Sequence, residues 1–376
     1  MANDESPVFI YNYPIDINIT IHLYNGEYEA TILSSGIAPQ IFSIELTRDA
    51  VQEINSSLQQ AIEEVSNSYE EGDSLSSEAL SQLATAGKNA FNRIFKEGKQ
   101  LLYQVLELIR KETEITIEIA SKDFFIPWEL LYDGPLGKLV DISKFWGMKY
   151  VISRTIMQRH RPGAIVSPVI QSSRPKVGLI AGGESELENI ASIEIPMLQE
   201  LAGQNQILLI RLRSLNADQH DEELENFGHF LSEEGIQIAH LACHTRQRKT
   251  SSQPFLDIAD DFSITMADFG AQEFETKENP LVILNACLTG ITDTLSIKGW
   301  TSEFWRIGAR GVLATEFRVP DWFAAAFIRE LYKPLLSGRP IGESLWATRY
   351  HFWHEKHNPL GLAYALYSPL AIRITK

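Results

Sequence analysis

"PLVILNACLTG", residues 280 to 290, is a short run of core-type residues that ends in Asn285, Ala286, Cys287 and a glycine turn. Leu281 to Leu284 are apolar with no polar alternate, which is the pattern of a strand covered on both faces. Four other runs share that character: "KVGLIAGG" (176–183), "ILLIRLRSL" (207–215), "IQIAHLACH" (236–244) and "RGVLATEF" (310–317). Polar, helix-capable stretches separate them. Strands of this kind alternating with helices specify an α/β fold, a mostly parallel sheet flanked by helices. In such a sheet reactive groups gather just beyond the carboxyl ends of the strands.

Two chemically capable residues stand at those ends. The run 236–244 closes on His244 and the run 280–287 on Cys287. Strand side chains alternate, so His240, Ala242 and His244 share one direction while Leu241 and Cys243 take the other. A thiol beside an imidazole ionises near neutral pH and becomes a nucleophile. The same imidazole then protonates a leaving amine. Backbone N–H groups at the strand-to-turn junctions, those of Thr245 and Cys287, are candidates for holding an oxyanion. Spacing alone leaves two readings of Cys287 open, this nucleophile and a small core residue closing a strand, because cysteine is among the most buried residue types. Cys243 reads as core.

Composition narrows the classes. The chain has 376 residues, 44% hydrophobic and 22% charged, with a net charge of −16. A nucleic-acid partner needs clustered Lys and Arg, so none is expected. The start "MANDESPVF" lacks a basic, then apolar, signal pattern, and no apolar run approaches a membrane span. Two cysteines are too few for a disulfide framework, which fits a reducing cytoplasm.

Three regions are expected: an N-terminal α+β region (1–157), an exposed linker rich in proline and basic residues (158–175), and a catalytic half (176–376). In the first, "ITIHLY" and "YEATIL" form a hairpin around Asn25-Gly26. A helix over about 47–68, a loop at "SYEEGDSLSSE" (68–78) and one helix over "AFNRIFKEGKQLLYQVLELIR" (90–110) follow. "EITIEIA" (114–120) alternates as a half-buried strand. The acidic stretch Glu63 to Asp73 reads as solvated surface.

"IQIAHLACHT", "PLVILNACLTG" and the long block 306–349 beginning "RIGARGVLATEF" together resemble the CHAT family of caspase-like cysteine peptidases. "FFIPWELLYDGPLGKLV" (124–140) is similar to the block that precedes the catalytic half in that family, and "DDFSITMADF" (260–269) to the segment between the His and Cys blocks. The likeness covers about residues 85 to 375. It implies a caspase-like sheet with the N-terminal half packed against it, catalytic His244 and Cys287, and no metal or cofactor for chemistry. It also implies limited, regulated proteolysis of a protein or peptide substrate, in a setting such as bacterial antiphage defence or cell death, with gasdermin-like or CRISPR-linked substrates as examples. The chain lacks the tetratricopeptide repeats of the family's acronym, so a sensor or activating partner would be a separate molecule.

The chain departs from the family pattern at Thr245, at Asn285, and at Glu316-Phe317, where the family often has tryptophan after the last core strand. Many members have glycine where Thr245 stands. Relatives that cut after Arg or Lys carry an acid two residues before the cysteine, where this chain has Asn285. Glu316 and Asp321, after the next strand, are alternative carboxylates for that pocket, and Glu316 equally fits a structural arginine such as Arg318. A non-catalytic adaptor on the same fold is the competing reading of the whole chain, and a redox switch using both cysteines a weaker one. Elsewhere, "HFWHEKH" (351–357) reads as a helix end rather than a metal site, "GLIAGGESE" (178–186) lacks nucleotide-loop spacing, and Trp128 reads as core.

Overall fold

The computed structural model describes residues 13–376 apart from 73–74, 110–112, 138, 158–165, 183–187, 214, 233–234, 248–253, 260–261, 272–274 and 290–293. Two sheets form its frame. The first begins with an antiparallel meander of β1 (Ile17–Tyr24), β2 (Glu27–Ser34) and β3 (Ile37–Ile44). Asn25 and Gly26 both take positive φ, 51° and 88°, so the tight hairpin turn forms where the sequence places it. Helices α1 (Arg48–Gly72), α2 (Ser77–Ile94) and α3 (Lys99–Leu108) follow. Then come β4 (Ile115–Ser121), the 3-10 turn Trp128–Leu130, the four-residue helix α4 (Trp146–Lys149) and β5 (Tyr150–Ile156). The order across this sheet is β3-β2-β1-β4-β5, with β4 parallel to both neighbours.

Three expectations about this half change. The loop over 68–78 is shortened, because α1 continues to Gly72. The single helix over 90–110 is broken between Phe95 and Gly98, where the chain turns against Phe42. A Cβ at Gly98 would lie 2.5 Å from that ring. Within the expected linker, residues 158–165 lie outside the described part, but Val169–Gln171 forms β6, which pairs in parallel with the last strand.

The second half contributes β7 (Lys176–Ala181), a π-helical turn Ile190–Glu194 running into α5 (Ile195–Gly203), β8 (Leu208–Arg211), α6 (His220–Ser232) and the 12-residue β9 (Ile236–Gln247). After it come β10 (Pro254–Ala259), β11 (Phe262–Thr265), α7 (Met266–Ala271), β12 (Leu281–Thr289), α8 (Thr294–Arg306) and β13 (Gly311–Thr315). The chain ends with α9 (Asp321–Leu336), α10 (Ile341–Lys356), β14 (Tyr364–Tyr367) and β15 (Arg373–Thr375). Pairing gives β8-β7-β9-β12-β13-β14, parallel except for β14, with the β10–β11 hairpin added to the far end of β9. All five apolar runs are strands of this sheet.

Both faces are covered over β7, β9, β12 and β13, as unalternated apolar runs require. The run 207–215 departs from that expectation: β8 is the sheet edge, Leu208 is exposed, and Leu209 and Ile210 are half-buried. Val177, Leu179, Ile238, Ala242, Leu281, Ile283 and Leu313 point into one core. Ile180, Ala239, Leu241, Cys243, Val282, Leu284, Val312 and Ala314 point into the other, with α6, α7 and α8. The first of these cores is continuous with the N-terminal sheet, from Ile17 to Ile374. Trp128 is 2% exposed and packs on Phe95, Phe124 and Trp146.

A buried polar seam also joins the halves. Arg154 of β5 donates to Glu129 beside Trp128 and, at 2.5 Å, to Glu316 just past β13. Tyr367 of β14 donates to Glu316. Arg349 of α10 reaches Glu129 at 3.4 Å and donates to the carbonyls of Gly147, Gly361 and Tyr364. Burial works against the Arg154 charge, but Glu129 and Glu316 overrule it and hold the guanidinium ionised. Burial pushes the Glu316 carboxyl up, against the pull of Arg154, and lowers Arg349 to about 10.

Candidate active site

β9 and β12 lie side by side and parallel, in a register that pairs Ile238 with Leu281 and runs unbroken to Arg246 and Thr289. That register sets Cys287 directly beside His244. The pleat places positions 244 and 287 on the face of His240 and Asn285, toward the π-helical turn and α9. His244 is 5% exposed. The backbone of Cys287 is described and its side chain lies outside the described part. Cys243 is a buried thiol on the opposite face, packed in the second core.

The strands do not end where the sequence suggests. β9 runs on to Gln247 because the edge that β7 vacates after Ala181 is taken over by β10. Thr245 therefore lies between Leu288 of β12 and Leu256 of β10, within the ladder rather than at a strand-to-turn junction. Its hydroxyl is buried and has no hydrogen-bond partner among the described residues.

A closed polar cluster lies beneath the pair on the same face. His240 Nε2 is 2.5 Å from Glu194 Oε1 and its Nδ1 is 2.9 Å from the Tyr332 hydroxyl. Asn285 Nδ2 donates to both Glu194 oxygens, at 3.1 and 3.0 Å, and Tyr364 donates to Asn285 Oδ1 at 2.8 Å. Burial, and after it the Glu194 charge, pushes the Tyr332 phenol far up, so it stays protonated. Each donor and acceptor named here is matched, which is what makes such a buried cluster tolerable. Asn285 thus anchors this cluster. Glu194 was not singled out from sequence: it sits in "ENIASIEIPMLQEL" with no motif to mark it.

The remaining candidate carboxylates go different ways. Glu316, 1% exposed, is committed to Arg154 and Tyr367 rather than to Arg318 or an open pocket. Asp321 opens α9 at the carboxyl edge of the sheet. Its Oδ2 accepts from the Asn189 backbone N–H at 2.8 Å and side chain at 3.0 Å. Its Oδ1 is buried with no partner among the described residues. No group of three His, Cys, Asp or Glu among the described residues is arranged to hold a metal ion. Nor is any described helix long and apolar enough to cross a membrane. The stretch 351–357 closes α10, with His357 in the left-handed cap at φ 49°.

Comparisons with known proteins bear on the family and the fold. A family model described as "CHAT domain" matches residues 96–368. The separase–securin complex of Saccharomyces cerevisiae, solved at 3.0 Å, aligns with a TM-score of 0.52 at 10% identity. The alignment covers 96% of this chain and 30% of that one, so this chain spans under a third of the solved protein. A second structure of that complex, at 2.6 Å, aligns with a TM-score of 0.49, also at 10% identity and covering 96% and 30% of the two chains. This likeness is one of fold, the caspase-like sheet. No curated protein matches in sequence.

Proposed function

We propose that this chain, which belongs to the CHAT domain family, is a cysteine endopeptidase whose nucleophile is Cys287 and whose acid–base group is His244. The observation that carries the reading is the register that sets the two residues side by side at the carboxyl end of adjacent parallel strands. In the reaction, His244 takes the Cys287 proton and the thiolate attacks the scissile carbonyl carbon. The C–N bond then breaks as the imidazolium hands its proton to the departing amine, leaving a thioester that water hydrolyses. The substrate is a protein or peptide cut at few places. The orphaned Asp321 Oδ1 favours a cationic residue before the cut, because an unmatched buried carboxylate oxygen gains most from a charged donor. Antiphage defence or cell death, with gasdermin-like or CRISPR-linked substrates, remains the setting the family implies.

A second reading has its own support. His244 is 5% exposed and Glu316 and Asn285 are committed inside the protein, which suits either a latent enzyme opened by a partner or a non-catalytic adaptor. Wild type and the Cys287→Ala and His244→Ala variants, incubated with a proteome-derived peptide library, decide the matter. Identical cleavage patterns from all three would sink the peptidase assignment. Loss of the same cuts in both variants supports it, and the residue before the cut reads out the role of Asp321.

A further inference from the structure

The row that holds the cysteine and histidine continues one strand further. β10 is antiparallel to β9, and its register sets Asp257 directly beside His244 on the side away from Cys287. Residues paired across neighbouring strands share a face, with Cβ atoms about 4.5–5.5 Å apart, which is hydrogen-bonding reach between a carboxylate and an imidazole. Building on the peptidase reading, we propose that Asp257 is the positioning residue of the site, its carboxylate accepting the His244 ring N–H remote from Cys287. The bond fixes the ring plane and tautomer and stabilises the imidazolium formed when the thiol ionises.

Three further features agree. Asp257 is half-buried between Leu256 and Ile258, which are 0% and 2% exposed in the opposite core, so the pleat itself turns position 257 to the face of His244. The β10–β11 pairing shifts register between Asp257 and Ala259, an irregularity of the kind that re-aims side chains beside active sites. The backbone at 257 is also held closely. Gly182 donates to the Ala242 carbonyl at 2.9 Å, and a Cβ at 182 would lie 2.1 Å from the Asp257 carbonyl oxygen, so only glycine lets β7 end against it.

Three other acids among the described residues on this side of the sheet have partners of their own. Glu194 is engaged by His240 and Asn285, Glu316 by Arg154, and Asp321 Oδ2 by Asn189. Among the described side chains, the ionisable groups sharing the row or lying beneath it include Asp257, His240, Glu194, Tyr332 and Tyr364.

The test uses the intact chain and iodoacetamide as a thiol probe, which needs no substrate. Wild type, Asp257→Asn, Asp257→Glu, His244→Ala and Cys287→Ala are alkylated from pH 5 to 10. Cys287→Ala subtracts any labelling of Cys243. Removing the carboxylate shifts the thiolate–imidazolium pair back toward neutral thiol and imidazole. Alkylation of Asp257→Asn should therefore fall about tenfold near pH 6.5 and match wild type near pH 9.5, where the thiol ionises unaided. Asp257→Glu should recover part of the loss. Mere disruption of the fold would instead raise labelling, Cys243 included, at every pH. An Asp257→Asn profile superimposed on wild type, while His244→Ala loses the neutral-pH reactivity, overturns the role of Asp257 and leaves the peptidase reading standing. A wild-type profile already rising only near pH 8.5, unchanged in His244→Ala, overturns both.

Discussion

Replacing Arg154 with methionine removes the cation from between two carboxylates while nearly preserving side-chain volume. Arg154 is 4% exposed and Glu129 and Glu316 are 0% and 1%, so neither acid can recruit water in its place. Taking one partner from a buried ion pair costs about 3–5 kcal/mol, most of it from the charge left behind. For 376 residues the unfolding entropy is about 0.8 kcal/mol/K, so the variant should melt about 4–6 °C lower. The pH dependence has a definite sign. The Glu316 carboxyl is raised by burial with Arg154 pulling it down. Without Arg154 it rises further above its unfolded value, so the folded state keeps its proton and the deficit grows from pH 5 to pH 8. Adding Glu316→Gln leaves Glu129 with Arg349 and should restore about 1–3 kcal/mol. Calorimetry at three pH values and urea titration of single and double variants read both quantities. A loss below about 1 kcal/mol at pH 8, or one flat in pH, would refute the account of the seam.

Two other variants probe the cluster and the ladder. Asn285→Asp sets a second carboxylate against Glu194, now hydrogen-bonded at 3.0 Å, and should cost about 2–4 kcal/mol at pH 7, with relief below about pH 5; urea midpoints across pH report it. Thr245→Val deletes a buried hydroxyl without a partner while keeping the backbone N–H and a β-branched shape. Stability should be unchanged or gain up to about 1 kcal/mol, and any peptidase rate should stay within about twofold, whereas a tenfold fall would show that the hydroxyl acts on substrate.

The sheet was legible because its central strands are buried on both faces, and that condition writes itself into every residue of "LVIL" and "IQIAHLA". The neighbouring of His244 and Cys287 was legible for the same reason: two such strands leave their ends at one edge. Local chemistry marked the Asn25-Gly26 turn equally well. What escaped depends on distant partners. Glu316 read equally as a pocket acid or as the partner of a structural arginine such as Arg318, and the arginine it meets, Arg154, lies 162 residues earlier. Glu194 and Asp257 carry no motif, and only register or packing gives them neighbours. The break before Gly98 depends on the Phe42 ring from another strand, which no periodicity within 90–110 encodes.

The continuity of the first core has a consequence for processing of the chain. Tyr13 bonds Glu343 at 3.0 Å, Tyr69 donates to the His357 carbonyl, Trp346 donates to the Met148 carbonyl, and Arg154 lies between acids from both halves. A peptide bond cut anywhere between residues 157 and 166 would therefore release nothing. The two pieces would persist as a nicked heterodimer, migrating as one particle until denatured. Maturation by cleavage at that place would act by freeing new chain ends next to an intact scaffold, not by shedding a propeptide.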